Sequence, residues 1–153
     1  MSTRAIQALT RRRISFEVVT YEHLEKGAAF AAQAIGFELS STVKTLVVEV
    51  PGQKPVLALL PGDRQLALKK LAKVLGVKKV KLADVATAER ITGYKVGGVS
   101  PFGITPSPMV VMEAVISDNP QVAINAGHRG TMLVMAPKDI AAGTHAKVAS
   151  ITA

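Results

Sequence analysis

The sequence predicts a single α/β (α+β) domain over residues 1–153, and three of its features point that way. Short runs rich in β-branched residues alternate with segments whose apolar residues recur at helical spacing, so strands and helices interleave along the chain. Two of the helical segments stop at a glycine, Gly36 and Gly76, the residue best able to close a helix in the left-handed conformation. With 153 residues, 48% of them hydrophobic and 20% charged, the chain is long enough to bury one core and too apolar to stay disordered. No repeat, low-complexity segment or linker divides it.

Ser2 or Thr3 can cap a first helix that carries Ile6 and Leu9 on its apolar side and Arg4, Arg11 and Arg12 towards solvent, ending near Arg13. Residues 14–21 then alternate as a strand does, with Ile14, Phe16 and Val18 opposite Glu17, Val19 and Tyr21. The alanine-rich segment 28–35 reads as a second helix. Residues 43–50 and 56–60, separated by the turn PGQKP, read as a β-hairpin. Lys44 interrupts this pattern, because in strand geometry it shares a face with Leu46, Val48 and Val50. Either its ammonium snorkels out at the sheet margin or it meets an anion in a cleft.

After the turn PGD at 61–63, Leu68, Leu71, Ala72 and Leu75 mark a third helix with Lys69, Lys70 and Lys73 on its other faces. Lys78, Lys79 and Lys81 follow, and this most basic part of the chain is either a phosphate-contacting strip or a solvated face. Asp84 can cap a fourth helix through Ile91. Residues 109–115 form an apolar run containing Glu113, and 122–124 and 132–135 read as two short strands joined through NAGHRG. Pro137 opens a last helical stretch interrupted at Gly143, and the tail VASITA reads as an edge strand.

Nineteen Lys and Arg against eleven Asp and Glu leave a formal charge of +8, which favours an anionic partner, nucleic acid foremost. The absence of cysteine excludes disulfides, thiolate catalysis and Cys-ligated zinc. No apolar run approaches the roughly 20 residues of a membrane span, so no membrane role is expected. The N-terminal stretch lacks the apolar centre and cleavage site of an export signal, which makes the cytoplasm the default location.

Residues 93–103, GYKVGGVSPFG, crowd four glycines and a proline between two regular segments. Such a loop either turns a corner or brings main-chain N–H groups against a ligand. It matches neither the dinucleotide nor the P-loop pattern. His23, His128 and His145 lie far apart and in no metal-binding spacing, so neither a metal nor another cofactor is expected. Ser100 precedes Pro101 and lacks the nucleophile elbow, and no catalytic carboxylate pair is evident. An enzyme built this way would rely on positioning and backbone dipoles.

Taken together, TYEH at 20–23, VKTLVV at 43–48, PGD at 61–63, LKKLAKVLG at 68–76, TGYKVGGVSPFG at 92–103 and NAGHRG at 125–130 resemble the YbaK-type aminoacyl-tRNA deacylases, free-standing relatives of the editing domain of prolyl-tRNA synthetases. The resemblance runs in order across nearly the whole chain. It implies a mixed β-sheet, curved towards a barrel and flanked by helices, with a cleft for the aminoacylated end of a tRNA. It assigns Lys44 to a phosphate near the terminal adenosine and the backbone of Gly97, Gly98, Val99, Ser100 and Pro101 to the ester carbonyl. Tyr21, His23, Glu113, Asn125, Gly127 and Arg129 become candidate substrate contacts, and Lys69, Lys70, Lys73, Lys78 and Lys79 candidate RNA contacts. Glu113 stands where several relatives have Asp, and Ala126 with Gly127 where many have two glycines, which leaves the particular amino acid open. The implied reaction is trans-acting hydrolysis of a mischarged tRNA, foremost Cys- or Ala-tRNA(Pro), with prolyl-tRNA synthetase as a possible partner. Ser or Thr esters on other tRNAs and a non-catalytic RNA-binding module are the alternatives.

Overall fold

The computed structural model describes residues 2–25 and 27–153. Helix α1 (Arg4–Arg11) is capped by Thr3, whose hydroxyl accepts from the Ile6 N–H, and it buries Ala5 and Leu9. Its exit is a Schellman closure, with Ile14 N–H donating to Leu9 O and Arg13 N–H to Thr10 O while Arg13 takes φ 56°. The chain is still turning at Ile14, so strand β1 (Glu17–Thr20) is shorter than the expected 14–21.

Helix α2 (Ala28–Ile35) closes at Gly36, and α3 (Leu68–Leu75) at Gly76, both with positive φ. Strands β2 (Thr42–Glu49) and β3 (Val56–Pro61) form the expected antiparallel hairpin. A two-residue strand β4 (Lys81–Leu82), unforeseen in the basic strip, pairs with Val48 and Glu49 of β2. Asp84 caps α4 (Val85–Thr92) by accepting from Thr87 N–H at 2.8 Å, a bond that holds its carboxyl below the usual carboxylate range. Strand β5 (Met109–Glu113) ends before Val115, because the Glu113 carboxylate accepts the Val115 N–H and turns the chain into a 3-10 turn.

Strands β6 (Val122–His128) and β7 (Thr131–Met135) pair as a hairpin, so most of NAGHRG lies in strand, with a bulge between Asn125 and His128. Helix α5 (Pro137–Thr144) runs through Gly143 instead of breaking there. A Cβ at that position would stand 3.0 Å from Phe102 Cε1, so glycine serves the packing of α5. Strand β8 (Lys147–Ala149) adds to β5 in parallel.

The sheet order is β1-β7-β6-β2-β3-β5-β8 with β4 beside β2, and its mixed directions agree with the expectation. Among the described residues no pairing joins β1 to β8, so the hydrogen-bond ladder stays open. On one face Val43, Val47, Leu57, Leu59, Ile124 and Leu133 pack with Leu9 of α1 and Ile140 of α5. On the other, Val48, Ala58 and Leu60 meet Leu71 and Ala72 of α3, and Ala31 of α2 covers Ala123, Met132 and Val134. Burying each large side chain contributes about 1.5–3 kcal/mol, which is what holds helices on both faces. No helix among the described residues is long and apolar enough to cross a membrane.

Candidate active site

One interruption in the sheet creates the site. Strands β2 and β6 pair in parallel only at Thr42–Ala123 and Val43–Ile124, and β4 joins the same edge of β2 at Val48 and Glu49. Among the described residues, Lys44, Thr45 and Leu46 therefore have no strand beside them on that edge. A cleft of about 520 Å³ opens there, within the range of small-ligand sites. Lys44, Thr45, Asn125 and Met132 line it from the strands, Ala31 from α2, and Val85 and Ala88 from α4. Tyr21, His23 and Glu25 line it from the connection between β1 and α2. Lys44 is half-buried and has no ion-pair partner among the described residues. A cation left unpaired in a largely apolar cleft is suited to an anionic group brought by a ligand.

The glycine-rich loop supplies Val96, Gly97 and Val99 to the same cleft. It is held at several points. Val96 N–H donates to Glu89 of α4 at 2.8 Å, and Arg129 Nε donates to Val96 O at 3.0 Å. Gly98 N–H donates to Lys95 O at 3.0 Å, and the buried Tyr94 hydroxyl donates to Phe102 O across the base of the loop. Burial raises the Tyr94 hydroxyl above its usual pKa, against the pull of the Arg4 guanidinium 5.0 Å from the ring centroid, so it stays a donor. The N–H groups of Gly97 and Val99 have no acceptor among the described residues. Gly97 is exposed with φ 96°, a conformation that suits glycine.

Of the residues singled out from sequence, Lys44, Gly97, Val99, Tyr21, His23, Asn125 and Arg129 all line this cleft. Others are displaced from the roles expected of them. Gly98 spends its N–H on the turn, and a Cβ there would stand 3.0 Å from the backbone of His128 and Arg129, so this glycine lets the loop pack on the β6–β7 hairpin. Ser100 is fully buried, its hydroxyl accepting from Phe102 N–H at 3.3 Å, and neither it nor the buried Pro101 lines the cleft. Gly127 faces the Tyr94 ring, and a Cβ there would stand 2.6 Å from Tyr94 Cε1.

Glu113 lies away from the cleft altogether. Its buried carboxylate accepts from Ile151 N–H, Thr152 N–H and the Thr152 hydroxyl through Oε1 and from Val115 N–H through Oε2, binding the C-terminal segment to β5. Burial opposes its charge, yet these four bonds outweigh it and hold the carboxyl below its ordinary pKa. The five candidate RNA-contacting lysines are exposed and none lines the cleft; Lys70 donates to Thr152 O at 2.8 Å and is committed to the same segment. Sequence reading passed over Thr45, Glu89 and Tyr94. The first was hidden inside a β-branched strand, and the other two act through chain-distant or loop-internal partners that no spacing reveals.

Residues 24–142 match the profile of the aminoacyl-tRNA editing domain, a span that holds most of the cleft and the whole loop. The chain belongs to the aminoacyl-tRNA editing-domain family. It is 31% identical to the candidate Cys-tRNA(Pro)/Cys-tRNA(Cys) deacylase EbsC of Enterococcus faecalis, over 98% of this chain and 93% of that protein. It is also 31% identical to the proline–tRNA ligase of Nitratidesulfovibrio vulgaris, over 85% of this chain but 22% of the ligase. The solved structure of a candidate trans-editing enzyme for prolyl-tRNA synthetase superposes with a TM-score of 0.90 at 28% identity, covering 98% of this chain and 95% of that one. This editing domain thus falls among the aminoacyl-tRNA hydrolases.

Proposed function

We propose that this editing domain acts in trans on mischarged tRNA and hydrolyses cysteinyl- or alanyl-tRNA(Pro). The observation that carries this reading is the meeting at one cleft of Lys44 with Gly97 and Val99, whose N–H groups have no acceptor among the described residues. Lys44 holds a phosphate next to the terminal adenosine. The two amides receive the ester carbonyl and stabilise the oxyanion that forms as the carbon becomes tetrahedral, as preorganised donors do. Water attacks that carbon and gives up a proton. The bond to the ribose oxygen then breaks, the ribose hydroxyl regains its proton, and the amino acid leaves. The hydrogen bonds that Val96 O accepts from Arg129 and that Val96 N–H donates to Glu89 keep the loop in place for this, so little reorganisation is needed at the moment of reaction.

The test is ester loss from a panel of tRNA(Pro) charged with cysteine, alanine, serine or threonine, with and without chelator. Rapid loss from the cysteinyl or alanyl ester, indifferent to chelator, is expected. Binding of all four without hydrolysis would overturn the proposal in favour of an RNA-binding module.

A further inference from the structure

Thr45 has no part in the mechanism above, and its hydroxyl is anomalous. Oγ1 is buried and has no hydrogen-bond partner, the only side-chain nitrogen or oxygen of which this holds among the described residues. Buried hydroxyls are nearly always paired, since desolvating one without a partner opposes folding. Valine has the same shape without that penalty, and β2 already carries Val43 and Val47 on the face that Thr45 shares. A hydroxyl here does nothing for the fold that a methyl would not do better.

Its surroundings indicate what it can do. Thr45 sits in the middle of the stretch of β2 without a neighbouring strand, and it lines the cleft together with Val43, Val47, Ala83, Ala88 and Val99. Val43, Val47 and Val99 belong to the main core, and Ala83 and Ala88 pack against it. The residue as a whole is partly exposed while Oγ1 is not. Thr45 lines the cleft, and a turn of its hydroxyl about χ1 to another staggered position would break no hydrogen bond, because none is made.

Resting on the deacylase reading, we propose that Thr45 is a specificity-determining residue whose hydroxyl hydrogen-bonds the side chain of the esterified amino acid. Thiol and hydroxyl side chains are then cleaved in preference to the alkyl side chain of alanine. A site that pairs its polar group with the substrate disfavours the analogue that leaves that group unpaired.

The experiment compares kcat/KM on cysteinyl-, seryl- and alanyl-tRNA(Pro) for the wild type, Thr45→Val and Thr45→Ser, with melting temperatures measured alongside. Thr45→Val is expected to lower the rate on the cysteinyl and seryl esters about tenfold and to leave the alanyl ester within about twofold. Thr45→Ser should restore most of the loss, and Thr45→Val should melt at the wild-type temperature or above it. Equal losses on all three esters, or no loss on any, would overturn the assignment. So would a lowered melting temperature in Thr45→Val, which would show that the hydroxyl is paired within the fold, for instance through a buried water. Should the wild type cleave none of the three, the deacylase reading falls and this inference with it, an outcome distinct from a silent Thr45→Val in an active enzyme.

Discussion

The open edge of β2 and the Glu113 knot are two polar sites in one sheet, and they differ in how far their polar groups are satisfied. At Glu113, one carboxylate gathers four donors and nothing is left over for a ligand. Along β2, Lys44 has no ion-pair partner, the Thr45 hydroxyl is unpaired and the Gly97 and Val99 amides have no acceptor, all among the described residues. Both sites contain residues that sequence reading assigned to substrate. A saturated network rigidifies the fold, whereas groups left short of partners around a cavity are placed for something that binds there.

That contrast can be broken by mutation, and the largest effect is expected at Lys44. Lys44→Ala should slow deacylation by about 10²–10³-fold while moving the melting temperature by less than about 2 °C. An unchanged rate would remove the cation from the mechanism. Glu113→Ala should behave in the opposite sense. Leaving four donors unpaired is expected to destabilise by about 3 kcal/mol or more, with kcat/KM of the folded fraction within about twofold of wild type. Denaturant melts and active-site-normalised rates would separate the two, and a Glu113 variant that is stable but inactive would return this residue to the substrate.

The same carboxylate predicts a pH response. Because its folded pKa lies below the ordinary value of 4.5, it contributes stability in full above that value and loses it as pH falls through the depressed folded one. Melting temperature should therefore decline in that acid window in the wild type and less so in Glu113→Gln. The smallest effect is expected from the basic strip. The double change Lys78→Ala with Lys79→Ala should reduce the salt slope of tRNA binding by up to about 2 without altering single-turnover hydrolysis at saturation. A slope unchanged by the pair would mark the strip as a solvated face.

Much of the fold was legible because its signals are local. Thr3 and Asp84 announce helix starts, Gly36 and Gly76 announce helix ends, and the β2–β3 hairpin is written in alternation and turn residues. The misreadings have two kinds of cause, partners distant in sequence and local turns. Strand β4 exists because Val48 and Glu49 offer it an edge, and Gly143 is a packing glycine against Phe102 within α5, whereas β1 starts late because α1 closes at Ile14 and β5 stops where Glu113 accepts the Val115 N–H. The order of motifs pointed to the loop and to Lys44, which the fold does bring to one cleft.

By itself, then, the sequence determined the element types, the basic charge and the family, because capping, periodicity and motif order are properties of neighbouring residues. Only the tertiary structure decided which glycine amides are free, that Gly98 and Gly127 serve packing, and that Glu113 is a structural anchor. It alone shows that β2 and β6 part after two residue pairs and leave Lys44 and Thr45 facing an open cleft. The physical reason is that a hydrogen bond or a clash is a relation between groups brought together by folding, and whether a polar group is spent or spare cannot be read until its partners are in place.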